Sequence, residues 1–428
     1  MSQNPSTTSQ IDRRPVICIT DSESRADCGH YITHFCLYIR LFIEAGADVV
    51  ALCPYPEAVR TELNAYGFSA EEFLFIGHIN PHPGIRQPTR RGFRKLYRGA
   101  GLIRRWKRLA TEIRNARKAS DLRIDHVFLA DLPSFSLFYK PSAARWIDLV
   151  FRTPWSAWSY DSSIYRHAGG VFEDPVLERI RPGYIHSKYF HAIFHIDEHL
   201  SLEMNQLFSP KVPFRYVPDI ADHALPDRDP KLIREIKQAA RQRKIIVLPG
   251  VQSRRKGLYI ALQLAEKRPD LFFVFAGPLD PQDHPAGGLE SIRTLIETPL
   301  ENCFFHMHRL ELEADLNAII SASDVVFAVY PGHLNSSGIL IKSAFLKKPA
   351  IIADDAPLMK EYAEKYQIGF PVSSNNLSAC SDAIDRAIAS KNASPKYARL
   401  QHDFSEDRLK EVLHDFVSTI RQSSLASK

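Results

Sequence analysis

Cysteine is scarce and scattered in this chain. Six occur in 428 residues, at 18, 28, 36, 53, 303 and 380, and no two stand in C-x-x-C spacing. That excludes a locally built zinc knuckle or dithiol motif, and it leaves reduced, mostly buried thiols as the expectation. Long apolar runs are missing too. The longest, such as Leu271–Ala276, are strand-length, far from the roughly 18 apolar residues of a spanning helix. Met1–Arg14 is polar and rich in Ser, Thr and Gln. It lacks the apolar core of a signal segment and reads as a disordered tail. No large excess of either charge exists, since 55 Lys and Arg face 49 Asp and Glu, a net +6. With 45% apolar and 24% charged residues, the composition is that of a folded soluble protein, and reduced thiols make the cytoplasm the expected location. Peripheral attachment to the inner face of a membrane stays open.

What is present is a repeating alternation. Val16–Thr20 is a short apolar run ending at Asp21, the pattern of a buried parallel strand. A polar loop, a helix rich in aromatic and aliphatic residues up to Gly46, and a second run at Asp48–Cys53 complete a βαβ unit. Further strands are expected at Glu72–Ile76, Ile124–Leu129, Val150–Ser159, Ala192–Ile196 and Arg215–Val217. Pro226–Pro230, with three charges between two prolines, reads as a linker. The alternation then restarts, with strands at Lys244–Leu248, Leu271–Ala276, Cys303–His306, Asp324–Tyr330 and Ala350–Ala353. The fold expected is α/β, two Rossmann-like doubly wound domains facing a cleft, with ligand at the carboxyl ends of the strands. The divisions are a tail at 1–14, a first domain at 15–225 with a basic insertion at 81–123, a second domain at 231–395, and a closing segment at 396–428.

Two loops of the second half carry chemistry. Pro249-Gly250-Val251-Gln252-Ser253-Arg254-Arg255-Lys256-Gly257 follows a strand and opens a helix. Three consecutive cations there suit a diphosphate, or form a solvated basic loop. Tyr330 to Lys342 contains Asn335-Ser336-Ser337-Gly338 and also runs from a strand into a helix. Free backbone N–H groups at such a helix start bind anions, while Ser336 and Ser337 could equally be N-caps. Taken together, the two loops favour a phosphate-bearing ligand.

Residues 244–372 resemble the donor-binding domain of GT-B-type glycosyltransferases, especially the retaining family 4 group. The resemblance rests on Gly250 with Lys256-Gly257, Phe272 to Gly277, Ala322-Ser323-Asp324-Val325-Val326, Ser336-Ser337-Gly338, Pro349 with Ile351, and Gly369, in order. It implies a GT-B fold whose closing helix packs back on the first domain. The implied activity is transfer of a sugar from a nucleotide-sugar to a saccharide or lipid-linked acceptor, with no metal or cofactor required. It implies that Lys256, with Arg254 or Arg255, meets the donor diphosphate. It implies an amide cradle at Asn335, Ser336, Ser337 and Gly338, and nucleoside contact near His308 and Arg309. The sequence departs from the family at its two glutamates eight positions apart. Aligning Pro349 puts Leu334 and Lys342 there, and a shift of one residue gives Asn335 and Ser343. Lys342 is then a candidate for charge compensation, or a solvated helix lysine. The departure leaves a non-catalytic GT-B-like binding protein, or a sugar-nucleotide epimerase, as competing readings. Acceptor-side candidates are His30, Asp131 and Asp161, at loop and strand ends of the first half.

One segment stands apart in charge. Residues 86–123 hold 14 Lys and Arg against Glu112 and Asp121, so the rest of the chain is net acidic. Leu102, Trp106, Leu109 and Ile113 share a helical face, with Arg104, Arg105, Lys107 and Arg108 largely elsewhere. Arg94, Lys95, Arg104, Arg105, Trp106, Lys107 and Arg108 form a candidate contact with an anionic membrane surface. The same pattern also fits an ordinary helix with its apolar face in the core. No recognised nucleic-acid motif accompanies the charge, which argues against that partner.

Overall fold

The computed structural model describes residues 13–21, 29–68, 73–79, 94–130, 141–160, 162, 166–167, 170–171, 183–208, 213–227, 230–285, 287–310, 312–390 and 397–426. The chain forms two units. One comprises Met1–Asp161, Asp174–Val217 and Glu406–Lys428, the other Ser162–Glu173 and Pro218–Ser405. The sequence reading puts the boundary at 226–230, whereas the units divide at Val217/Pro218 and again at Ser405/Glu406.

In the first unit, β1 (Val16–Thr20), β2 (Asp48–Cys53), β3 (Leu74–His78), β4 (His126–Leu129) and β5 (Trp155–Ser159) precede a short antiparallel pair, β6 (Arg166–His167) and β7 (Gly170–Val171), that belongs to the second unit. Then come β8 (Phe190–His195) and β9 (Phe214–Tyr216). The sheet order is β3-β2-β1-β4-β5-β8-β9, with parallel pairing throughout. The second unit holds β10 (Lys244–Pro249), β11 (Leu271–Ala276), β12 (Cys303–His306), β13 (Val325–Ala328), β14 (Ala350–Ala353) and β15 (Gly369–Val372). Their order is β12-β11-β10-β13-β14-β15, again parallel. In both sheets the order reverses beside the first strand, the arrangement of a doubly wound fold. The inner strands are apolar without alternation because helices cover both faces. Every residue of β1 and β11 is buried.

Helices at Pro141–Val150, Glu198–Phe208 and Lys231–Ala240 add to those expected. The strand expected from Val150 starts only at Trp155. Pro154 disfavours helix at the residue before it, so the chain leaves the helix, turns, and then pairs. The five described cysteines, at 18, 36, 53, 303 and 380, are buried and free, and Cys28 lies outside the described residues. Burial raises their thiols, Cys53 and Cys303 to about 12 and Cys380 to about 11. Among the described residues no helix is long and apolar enough to cross a membrane.

The helix Arg94–Ser120 corrects the expectation for Trp106. Its indole is fully buried, tilted against Phe151 at 5.0 Å and Trp155 at 4.8 Å. Leu109 and Ile113 are buried with it. The apolar stripe covers the sheet of its own unit, so Trp106 is no membrane anchor. Arg104 and Lys107 are exposed, and Arg105 and Arg108 are partly so. The side chains of Arg94 and Lys95 lie outside the described residues.

The closing helix Glu406–Ala426 belongs to the first unit. It buries Leu409, Leu413, Phe416, Val417 and Ile420. The Phe416 ring meets Phe194 at 4.9 Å, His126 at 5.2 Å and Phe42 at 6.4 Å. His126 is fully buried, 3.0 Å from Ser156 Oγ and 5.2 Å from the His191 ring. Burial first, and His191 second, hold its pKa well below the ordinary value. The folded imidazole therefore stays neutral where the unfolded one takes a proton. Its contribution to stability is complete above about pH 6.5 and is lost as the pH falls. Denaturation between pH 7 and 5 is expected to show stability falling by up to about 1.4 kcal/mol per pH unit for this proton. His126→Phe should flatten that slope, and an unchanged slope would assign the acid sensitivity elsewhere.

Candidate functional site

The second unit's strand order reverses between β10 and β13, and the two motif loops leave the carboxyl ends of these neighbours. The first loop is braced by its own side chains and backbone. Gln252 is buried, and its amide donates to Leu248 O at 2.9 Å and Gly250 O at 2.7 Å. Its backbone N–H donates to Pro278 O at 2.8 Å, and that of Arg255 to Asp283 Oδ2 at 2.9 Å. Arg254–Lys256 forms a single 3-10 turn that ends at Gly257 with φ 76°. A Cβ on Gly257 would lie 2.3 Å from the Val329 carbonyl oxygen, so the turn is pressed against the exit of β13.

This places the three cations differently. Arg254 and Arg255 are exposed, while Lys256 is half-buried. The Lys256 Nζ lies 5.7 Å from the centroid of the Tyr330 ring, at the start of the second loop. It also lies 3.1 Å from where a Cβ on Gly250 would sit. Burial, followed by the Arg255 charge, lowers the Lys256 ammonium to about 8. Among the described residues no acidic side chain pairs with Arg254, Arg255 or Lys256. A desolvated cation without a counter-charge is an arrangement suited to an anion.

The second loop supplies the opposite wall. The Tyr330 hydroxyl is buried beside Ser337 and makes no hydrogen bond of good geometry. His333 sits edge-on to Tyr330 at 5.8 Å, with its Nε2 3.1 Å from Ser336 O. Burial lowers its pKa, as do the Arg255 and Lys256 charges, against the raising effect of the Ser336 backbone. Ser337 precedes the helix Gly338–Phe345 without a side-chain cap, so the capping role open to it is not filled. Ser336 Oγ is buried and faces Asp219, whose carboxyl burial pushes up and Ser336 pulls down. Asp219 was not singled out from sequence; its signal was only its place just before the linker. Nothing lies within 4 Å of a Cβ built on Gly338, so the helix start is open.

Other candidates separate. Asn335 Oδ1 accepts from Ser162 N at 2.7 Å, which ties the loop to the segment bearing β6. There the fully buried Arg166 guanidinium donates to both oxygens of Glu361, at 2.7 and 2.9 Å. Lys342 is corrected as a phosphate ligand. Its ammonium donates to Asp222 O and to Asn317 Oδ1 at 3.1 Å and pairs with Glu313 at 2.9 Å. These oxygens fasten the helix to its neighbour and to the segment after β9. His308 and Arg309 are exposed past β12, two strands and so roughly 10 Å from β10. His30 opens the helix Gly29–Glu44 in the first unit. Asp131 and Asp161 lie outside the described residues.

No protein-family model matches the chain, and no curated protein matches it by sequence. Solved structures do match. A glycosyltransferase from Rickettsia africae is 12% identical, with a TM-score of 0.60 over 95% of this chain and 98% of its own. HepE from Anabaena, solved with UDP and glucose, is 12% identical at a TM-score of 0.56, covering 95% and 100%. The sucrose-phosphate synthase of Thermosynechococcus elongatus is 12% identical at 0.60, covering 97% and 100%. Likeness at this identity establishes the fold: the two parallel sheets are those of GT-B glycosyltransferases.

Proposed function

We propose that the chain is a glycosyltransferase that moves a sugar from a nucleoside-diphosphate sugar to an acceptor hydroxyl. The carrying observation is Lys256, a half-buried cation without an acid partner among the described residues, 5.7 Å from the Tyr330 ring that opens the second loop across the strand-order reversal. In such a transfer the bond from the anomeric carbon to the diphosphate oxygen breaks, and a bond to the acceptor oxygen forms. Negative charge gathers on the departing diphosphate, and fixed cations and amides stabilise it. Lys256, with Arg254 and Arg255, takes this role here, and the amides at Ser336, Ser337 and Gly338 cradle the phosphates. Gly250 leaves room beside Lys256. His308 and Arg309 meet the nucleoside in this reading, an assignment that rests on the resemblance of residues 244–372 to family 4. A retaining course, a saccharide or lipid-linked acceptor, and acceptor-side roles for His30, Asp131 and Asp161 complete the proposal. The retaining course and the acceptor class rest on the resemblance of residues 244–372 to family 4, and the three acceptor-side residues on their places at loop and strand ends of the first half.

The test is a panel of UDP, GDP and ADP and their sugars, read first as thermal stabilisation and then as diphosphate release. Stabilisation with release supports the proposal. If none of the nucleotides stabilises the protein, it fails. Binding without release would make the chain a GT-B-like binding protein, and interconversion of the sugar would make it an epimerase. Gly338→Ala sharpens the reading. The added methyl meets no protein atom, so the melting temperature should hold. Nucleotide affinity should fall about ten-fold, equal to about 1.4 kcal/mol, because the methyl enters the cradle. Unchanged affinity would move the phosphates away from this helix.

A further inference from the structure

The helix beside Arg94–Ser120 carries what the buried Trp106 does not. Pro141–Val150 packs against it, and Trp106 touches Phe151 just past its end. Ala144 and Ile147 face inward and are fully buried, while Trp146 and Leu149, three residues apart, are 60% and 58% exposed. Two neighbouring helices covering one sheet present their outer faces in the same direction. On those faces Arg104, Lys107, Arg114 and Lys118 are exposed, and Arg145 and Arg152 flank Trp146 and Leu149. Asp121 is exposed past the end of the first helix, and the two acids within the helices are engaged. Glu112 is partly buried 4.0 Å from Arg108, and Asp148 accepts from Ser187 Oγ and Lys188 N.

We propose that this face docks on an anionic lipid bilayer, with Trp146 and Leu149 at headgroup depth and the surrounding cations on the headgroups. The charge argument is local, because 86–123 is strongly cationic in a chain whose remainder is net acidic. An exposed indole on an amphipathic helix, with Arg145 next to it in the chain and a cationic helix packed alongside, matches the chemistry of the membrane interface. Two apolar side chains are few for the desolvated centre of a protein interface. The inference stands whether or not the chain transfers sugars.

The protein provides its own probe. It has four tryptophans, and Trp106, Trp155 and Trp158 are buried to within 1%. Trp146 alone among them can change its surroundings on docking. Intact protein should float with phosphatidylcholine vesicles containing about a third phosphatidylglycerol at low salt, and its emission should shift to the blue. Flotation should vanish on pure phosphatidylcholine or at high salt. Trp146→Ser with Leu149→Ser should cut partitioning at least ten-fold, as should Lys107→Glu with Arg114→Glu, with melting temperatures unchanged. Trp146→Phe should keep flotation and lose the spectral shift. Absence of flotation at low salt, or flotation without the shift, would overturn the proposal. Retention of a DNA duplex without vesicle binding would give the face to nucleic acid instead.

Discussion

Lys256→Met is expected to abolish nucleotide binding while making the ligand-free protein more stable. The methionine keeps the apolar stem and removes the ammonium. In the ligand-free protein that ammonium is half-buried with no acid beside it among the described residues, and its pKa falls from 10.5 to about 8. The unfolded chain therefore holds one more proton than the folded one between pH 8 and 10.5. Stability of the ligand-free protein rises with pH across that window and is lowest below it. The methionine variant lacks this rise and should be the more stable form at pH 7. A bound diphosphate reverses the balance, because its charge favours the protonated amine. Losing a charge-assisted bond of about 3 kcal/mol corresponds to at least a hundred-fold weaker binding. Titration calorimetry at pH 7 and thermal scans at pH 7 and 10 read both effects. A variant that binds as before would remove Lys256 from the site. One that loses binding only by unfolding would show a lower melting temperature, opposite to the expected sign.

Gly257→Ala should cost about 3 kcal/mol of stability and weaken nucleotide binding with it. Two effects add at this residue. A side chain at φ 76° carries a penalty of about 1 kcal/mol. The new methyl would also stand 2.3 Å from Val329 O, a backbone atom at the end of a central strand that cannot step aside. The relaxation must push the turn Arg254–Lys256 away from Tyr330, which follows Val329 directly. Gly287→Ala is the control. Its φ is 77°, yet nothing lies within 4 Å of the added carbon, so it should lose only about 1 kcal/mol. Urea denaturation of the two variants separates the effects. Equal losses would show that backbone handedness, not the close approach of the two loops, makes glycine necessary at 257.

The second sheet was legible because parallel strands write themselves as unbroken apolar runs. Leu271–Ala276, Cys303–His306 and Ala350–Ala353 are strands at the bounds their sequence suggests. The two loops were legible from glycine, cations and the strand-to-helix transition. Trp106 was not, because a stripe repeating every three to four residues fits a sheet as well as a bilayer. Lys342 was not, because its oxygen partners come from Asp222, Glu313 and Asn317, which only the fold brings together. Pro141 at the start of Pro141–Val150 was an available helix signal. Without it, the exposed pair at 146 and 149 stayed hidden. Arg166 carries no local mark, and Asp219 only its place before the linker; each matters through a residue more than a hundred positions away.

The helix Glu406–Ala426 has a consequence for biogenesis. A nascent chain leaves the ribosome from its N-terminus, and domains usually fold in that order. Here the first unit cannot close its core when its sheet has emerged, because Phe416 fills the space among Phe42, His126 and Phe194. The stretch Pro218–Ser405 is complete earlier, although it is made later than most of the first unit. The order of maturation is thus inverted relative to the order of synthesis. A chain released after Ser405 would hold one finished unit and one with an open apolar seam, the form that a holdase chaperone recognises.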